Sequence, residues 1–445
     1  MSSTEQAAAF IAMLAALDTT GTDAGHIDEI TALEKLKTAI SARQARITDA
    51  FAVSQRAKLI KAGTKTVDAR RSVCAQIGLA RRDSPHKGNR HVGLAATLVH
   101  EMPLVLRALE RGEASEWRAT LIARETAHLS KEHRARIDAA IADDLPGWSD
   151  NQTAAQARAW AHRLDPNGAA DRARKAVTDR RVTIRPAPDC MTYLTALLPV
   201  KEGVGVYGVL HRAAMTAHCD PDDHRSKGQV MADELIKRTM TPGDAEPEQP
   251  AIELHLVMTD RALADHDDEP AHLIGHGPVP AAIARDLLTA HDKTRAWVRR
   301  LFTDPGTGQL LTTDARRRDF PDIARLFLAA RDQVCRTPFC GAPIRHADHA
   351  LAVSKGGDTT LINGAGRCEN CNLTKDLTGW ATHVELTGDI TTTTPTGHTY
   401  RGLAPRPPVS RPWKRHAQVG RPARAVKPAL RIEIHWPTDM AHTRQ

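Results

Sequence analysis

The stretch Arg331–Trp380, RDQVCRTPFCGAPIRHADHALAVSKGGDTTLINGAGRCENCNLTKDLTGW, holds four of the seven cysteines of a 445-residue chain. Cys335 and Cys340 are separated by four residues, and Cys368 and Cys371 by two. Each pair can chelate one ion from a turn, and together they join two distant parts of the chain. Four thiolates favour zinc in a closed, tetrahedral, structural site with no open position for chemistry. The other cysteines, Cys74, Cys190 and Cys219, are scattered. An odd total with isolated members does not read as a secreted disulfide framework, so these three are expected reduced and partly buried.

Between the cysteine pairs lie Asp348-His349, a strand-like ALAVS, the turn Gly356-Gly357 and Asn363; Asn372 and Lys375 lie beside and after the second pair. The stapled segment is long enough for two strands and the start of a helix, and closing it brings Asp348 near the helix carrying Asn372 and Lys375. Asp348 and Asn372 offer oxygen ligands for a hard divalent ion such as Mg²⁺. An imidazole such as that of His349 can take a proton from water. Asn363 has no proton to exchange and suits a positioning role, while Lys375 or Arg345 can contact a flanking phosphate. A base beside a metal is what phosphodiester hydrolysis requires. The competing view is a zinc ribbon whose polar residues only cap turns.

The rest of the chain supplies context. Up to about Lys175, apolar positions recur at helical spacing, as in Ile30–Leu59, Leu94–Gly112 and Glu116–Leu129, with Ser130 placed to cap the helix beginning at Lys131. From Arg180 the pattern mixes. A hairpin is expected in RVTIRPAPDCMTYLTALLPV (181–200), helices in YGVLHRAAMTAH and QVMADELIKRTM, and a strand in IELHLVMTD (252–260). A helix over 280–302 and a Gly-rich hairpin at 303–313 follow, with a Thr-rich hairpin around TPTGH after Trp380. The fold class expected is α+β: helical over 1–175, mixed over 176–320, a zinc-stapled finger over 321–384, then a Thr-rich hairpin and basic tail over 385–445.

The formal charge is +8, but nine Lys or Arg and no acid lie between Arg401 and Arg431, so the remainder is nearly neutral. With six prolines in the same stretch, the tail is expected to be disordered and suited to phosphate contact. The apolar run Ala7–Leu17 follows Glu5 and no Lys or Arg, which fits an amphipathic helix rather than a signal peptide. No run reaches the roughly 18 apolar residues of a membrane span. A cytoplasmic protein without membrane attachment is expected. Neither a Walker P-loop nor a dinucleotide fingerprint is present, and the acidic cluster ADHDDEPAH (264–272) reads as a solvated charge run.

In this order, CRTPFC…ADHALAVSKGGDTTLINGAGRCENCNLTK resembles the HNH endonuclease motif, a zinc-stapled ββα-metal finger. The resemblance implies His349 as general base, Asp348 and Asn372 as ligands of a catalytic Mg²⁺ or Mn²⁺, and Asn363 as the middle residue of the motif. Asn372 stands where the motif's third His would be, a replacement known in the family. The stretches Met102–Ser130, Arg225–Arg238, Leu273–Leu288 and Phe302–Leu311 resemble the DUF222 (13E12 repeat) region that precedes HNH domains in many actinobacterial proteins, and HTYRGLAPRPP resembles that group's tail. The activity implied is hydrolysis of DNA to 5′ phosphate and 3′ hydroxyl ends. The upstream region would serve DNA positioning, contacts of a homodimer, or control. A non-enzymatic DNA-binding protein and an RNA-directed nuclease are the alternatives.

Overall fold

The computed structural model describes residues 2–220, 222–240, 254–264, 267–289 and 322–405. The hairpin expected at 303–313, the later part of the 280–302 helix and the basic tail beyond 405 lie outside the described residues. The chain is α+β and divides into two compact units, residues 1–181 with 197–200, and residues 182–196 with 201–445.

The first unit is built of α1 (Ser3–Ala15), α2 (Asp23–Lys61), α3 (Thr66–Ala80), α4 (Pro85–His100), α5 (Pro103–Glu110), α6 (Glu116–Glu125), α7 (Lys131–Ile141), α8 (Asp150–Leu164) and α9 (Pro166–Ala176). Serines start several of them: Ser84, Ser115, Ser130 and Ser149 each accept a hydrogen bond from the third amide of the helix that follows. The core gathers Ala42 and Ala45 of α2, Leu98 of α4, Val105, Leu106 and Leu109 of α5, Ile122 of α6, Ile137 and Ile141 of α7, and Ala157 and Ala161 of α8. Asp138 is buried, and its two oxygens accept the amides of Leu104 and Val105 at 2.8 Å each, which fixes the start of α5. Helices α3 and α4 approach so closely that a Cβ on Gly88 would lie 2.0 Å from the Cys74 carbonyl oxygen. No single helix among the described residues is long and apolar enough to cross a membrane. The pair α4–α5 passes that test jointly but is bent by 104°, and its Leu98, Val105 and Leu106 are core residues.

The second unit begins with the expected hairpin, β1 (Arg181–Pro186) and β2 (Thr192–Leu197), followed by α10 (Val200–Ala217) and α11 (Lys227–Met240). The strand expected in 252–260 is described only as β3 (Leu256–Val257), which joins β4 (Ala271–Leu273) and β5 (Gly277–Val279) in an antiparallel meander flanked by α12 (Asp260–Ala264) and α13 (Ala281–Thr289).

The finger starts with α14 (Asp322–Asp332), whose Phe327 and Leu328 pack with Leu361 and Ala347. Strands β6 (His346–His349) and β7 (Gly364–Arg367) pair antiparallel, with Asp348 opposite Ala365 and His349 opposite Gly364, and α15 (Glu369–Thr374) follows directly. The Thr-rich segment is a three-stranded meander of β8 (Ala381–Val384), β9 (Ile390–Thr393) and β10 (Thr399–Gly402), not a lone hairpin. It packs on the finger through Ile390 and Val384 against Ala350 and Ala365.

Two local expectations are corrected. ALAVS is not a strand: β6 ends at His349, and the chain bends into a short 3₁₀ turn at Val353–Lys355. The reason is that both main-chain groups of Leu351 are taken by the Asn363 side chain instead of a neighbouring strand. Of the scattered cysteines, all free, only Cys74 is buried. Cys190 sits at φ 60° in the turn of the β1–β2 hairpin and Cys219 two residues past the end of α10, both exposed.

Candidate functional site

Four sulfurs define the first part of the site. Cys335 and Cys340 lie on the loop between α14 and β6, Cys368 caps α15, and Cys371 lies on its first turn. Their Sγ atoms all fall within 4.8 Å of one another, with Cys340 3.8 Å from Cys368 and 3.6 Å from Cys371. Tetrahedral thiolates about 2.3 Å from a zinc ion would be separated by about 3.8 Å, so the four are arranged as a ligand set for such a metal. The knuckle is tightly wound: Phe339 and Gly341 have φ of 63° and 59°, and the Phe339 ring packs edge-on against Tyr400 of β10. Sharing protons drives the thiols apart. Contacts with Cys340, Cys368 and Cys371 hold Cys335 far below the ordinary thiol range, whereas contacts with Cys335, Cys340 and Cys368 push Cys371 far above it. Four adjacent thiolates need a cation among them.

Asp348, His349, Asn363, Asn372 and Lys375 form the second part. Asp348, the penultimate residue of β6, faces α15, where the Asn372 side chain hydrogen-bonds to it and Lys375 Nζ lies 3.4 Å from Oδ2. Burial works to raise the Asp348 carboxyl, but the His349 amide, the Lys375 charge and Asn372 outweigh it and hold it below the usual range. Lys375 is almost fully enclosed, its side chain 4% exposed, and it also pairs with Asp376 at 2.9 Å. Asn372 Oδ1 is buried and has no hydrogen-bond partner among the described residues.

His349 is buried, with Nε2 2.8 Å from the Thr359 hydroxyl and Nδ1 3.4 Å from Asp348 Oδ1. Asn363 braces the loop after His349. Its Oδ1 accepts from the Leu351 amide, and its Nδ2 donates to the carbonyls of Leu351 and Asp358, all within 2.9 Å. A Cβ on Gly357 would lie 1.9 Å from the Leu351 carbonyl oxygen, so this brace also depends on glycine there. Arg345 is exposed and its amide donates to the Arg367 carbonyl, away from the carboxylate cluster's hydrogen bonds.

Two features escaped the sequence reading. Thr359 reaches His349 only because the Asn363-braced loop folds back, and a lone threonine after Gly-Gly-Asp carries no signal of that. Beneath the strands lies a buried ionic cluster. Asp332 binds Arg331 at 2.7 Å and Arg336 at 3.4 Å and accepts the Gly366 amide at 2.6 Å, while Arg331 also donates to the carbonyls of Leu361 and Gly364. Its signal was an Arg-Asp pair ending a helix and arginines beside the cysteines.

Comparison with curated proteins and with solved structures gives no match. A family model described as Domain of unknown function (DUF222) matches residues 34–332, most of the chain and ending just before the first staple cysteine. The chain belongs to the DUF222 family.

Proposed function

We propose that the finger is the active site of an HNH-type endonuclease that hydrolyses DNA phosphodiester bonds. The observation that carries this reading is Asn372 Oδ1, a buried oxygen without a partner among the described residues, on a side chain that touches Asp348. An unanswered buried carbonyl oxygen is costly unless something electropositive meets it. Asp348 and Asn372 therefore fit as the holders of a divalent ion such as Mg²⁺ or Mn²⁺. Such an ion, when bound, supplies charge neutralisation at the phosphate.

His349 is the general base of this reading. Its 2.8 Å contact to Thr359 is within hydrogen-bond range, whereas the 3.4 Å contact to Asp348 is longer than a good N–H···O bond. The general-base reading takes the tautomer in which Nε2 donates to Thr359, so that the Nδ1 lone pair accepts the proton of water. Asn363 holds the loop that carries Thr359. The cysteine staple, read as a zinc site, takes no chemical part and keeps β6, β7 and α15 in register.

A second reading, a nucleic-acid-binding module without catalysis, is favoured by Lys375, which already gives Asp348 a cationic partner. The test is nicking of supercoiled plasmid with Mg²⁺ or Mn²⁺, alongside labelled duplex DNA, single-stranded DNA and RNA. Cleavage of DNA by the parent and its loss in His349→Ala are expected. Binding without cleavage in both proteins would favour the second reading, and cleavage of RNA alone would reassign the substrate.

A further inference from the structure

Arg367 is among the most enclosed side chains of the chain, 2% exposed, and it immediately precedes Cys368. Its guanidinium Nη1 donates to the Thr337 hydroxyl at 3.0 Å. Thr337 belongs to the Cys335–Cys340 knuckle, so Arg367 starts beside one cysteine pair and reaches the loop of the other. Its Nε and Nη2 are buried and have no hydrogen-bond partner among the described residues. Among the described residues no carboxylate pairs with it. Asp332 is taken by Arg331, Arg336 and the Gly366 amide, and Asp389 by Arg401 and the Ala404 amide. An unpaired buried guanidinium is strongly unfavourable unless an anion offsets it.

The anion nearest to it in the chain is the cysteine cluster, since Arg367 precedes Cys368 and its Nη1 binds Thr337, between Cys335 and Cys340. Four thiolates around a divalent ion carry a net charge of about −2, because cysteine ligands bind deprotonated. We propose that Arg367 is the built-in counter-ion of a dianionic metal–tetrathiolate centre. The inference rests on the reading of the four cysteines as a metal centre. It makes a prediction that a packing role does not: the charge of Arg367 is unfavourable in the metal-free chain and favourable in the loaded one.

The experiment uses the full chain and its Arg367→Met, Arg367→Lys and Arg345→Met variants. Zinc affinity is measured by competition with a chromophoric chelator, and urea unfolding is followed with and without zinc. Arg367→Met is expected to weaken zinc binding by about 10- to 100-fold, the range typical of outer-shell changes, while the metal-free protein is no less stable than the parent. Arg367→Lys, which keeps the charge, and the exposed control Arg345→Met are expected to stay within about threefold of the parent. With Co²⁺ in place of zinc, Arg367→Met should move the sulfur-to-metal charge-transfer band to longer wavelength, because a nearby cation lowers the energy of the sulfur electrons. Unchanged zinc affinity in Arg367→Met overturns the proposal. So does an equal loss of stability in metal-free and loaded forms, or a fall in Arg367→Lys as large as in Arg367→Met. A parent chain that binds no zinc overturns the metal reading itself.

Discussion

Asp332 accepts the amide of Gly366 at 2.6 Å, joining residues 34 positions apart. Asp332 is the last residue of α14 and of the DUF222 match, whereas Gly366 lies in the β7 strand that leads to Cys368. The family match therefore ends on a side chain that the finger is built upon. Because Arg331 and Arg336 bind the same carboxylate and also reach the carbonyls of Leu361, Gly364 and Gly388, a single acid organises the floor beneath both strands.

Replacing Asp332 should therefore affect the finger severely. In Asp332→Asn, two buried guanidiniums lose their carboxylate, a loss of about 3–5 kcal/mol for a broken buried pair. The measurement is hydrogen exchange at the β7 amides, expected to approach the rate of local opening. Protection of Gly366 as strong as in the parent would show that the network contributes little.

The helical part of the first unit was legible because its periodicity and serine caps are local signals, and Ser130 caps α7 where its position before Lys131 predicts it. The cysteine cluster was legible because spacing alone constrains chelation. What escaped was long-range. ALAVS is an apolar run beside a strand, yet the Asn363 side chain, 12 positions from Leu351, supplies the hydrogen bonds that a strand partner would have offered. Tertiary hydrogen bonding, rather than a neighbouring strand, satisfies the backbone there. Lys375 looked like a phosphate contact from its position after the second cysteine pair, and its side chain is instead enclosed against Asp348 and Asp376.

Lys375 leads to a second prediction. If Asp348 holds a divalent ion, the ammonium 3.4 Å away opposes it by charge repulsion. Lys375→Met should then bind Mn²⁺ more tightly, by about three- to tenfold, equivalent to roughly 1 kcal/mol. Titration followed by Mn²⁺ electron paramagnetic resonance checks this in protein whose zinc content is first shown equal to the parent's. Weaker or unchanged Mn²⁺ binding would remove Asp348 from the ligand set.

In the first unit, the hydrogen bond from Lys87, helped by His91, holds the Asp83 carboxyl below its usual range. A carboxyl depressed on folding adds stability above its unfolded pKa, about 3.9, and the contribution is lost as pH falls through the lower folded value. Asp83→Asn should thus be less stable than the parent at pH 6 by about 0.5–1 kcal/mol, and the gap should close toward pH 2. Urea midpoints at the two pH values decide it, and a gap independent of pH would point to packing rather than charge.

The brace around His349 allows orientation to be separated from chemistry. Asn363→Ala leaves the Leu351 amide and the carbonyls of Leu351 and Asp358 without their side-chain partner, a local loss of about 2–3 kcal/mol. Asn363→Asp should do worse, since a carboxylate would then face two carbonyl oxygens. Thr359→Val is gentler: it keeps the shape of the loop but removes the hydroxyl 2.8 Å from Nε2. On the nuclease reading, the ring then loses its preferred tautomer and DNA cleavage falls about tenfold, while Thr359→Ser recovers most of it. Nitrogen NMR of the His349 ring reports the tautomer without needing turnover, with Nε2 protonated in the parent and both forms populated in Thr359→Val. A parent ring protonated on Nδ1 would make His349 a donor toward Asp348, and the general-base assignment would fail on that measurement alone.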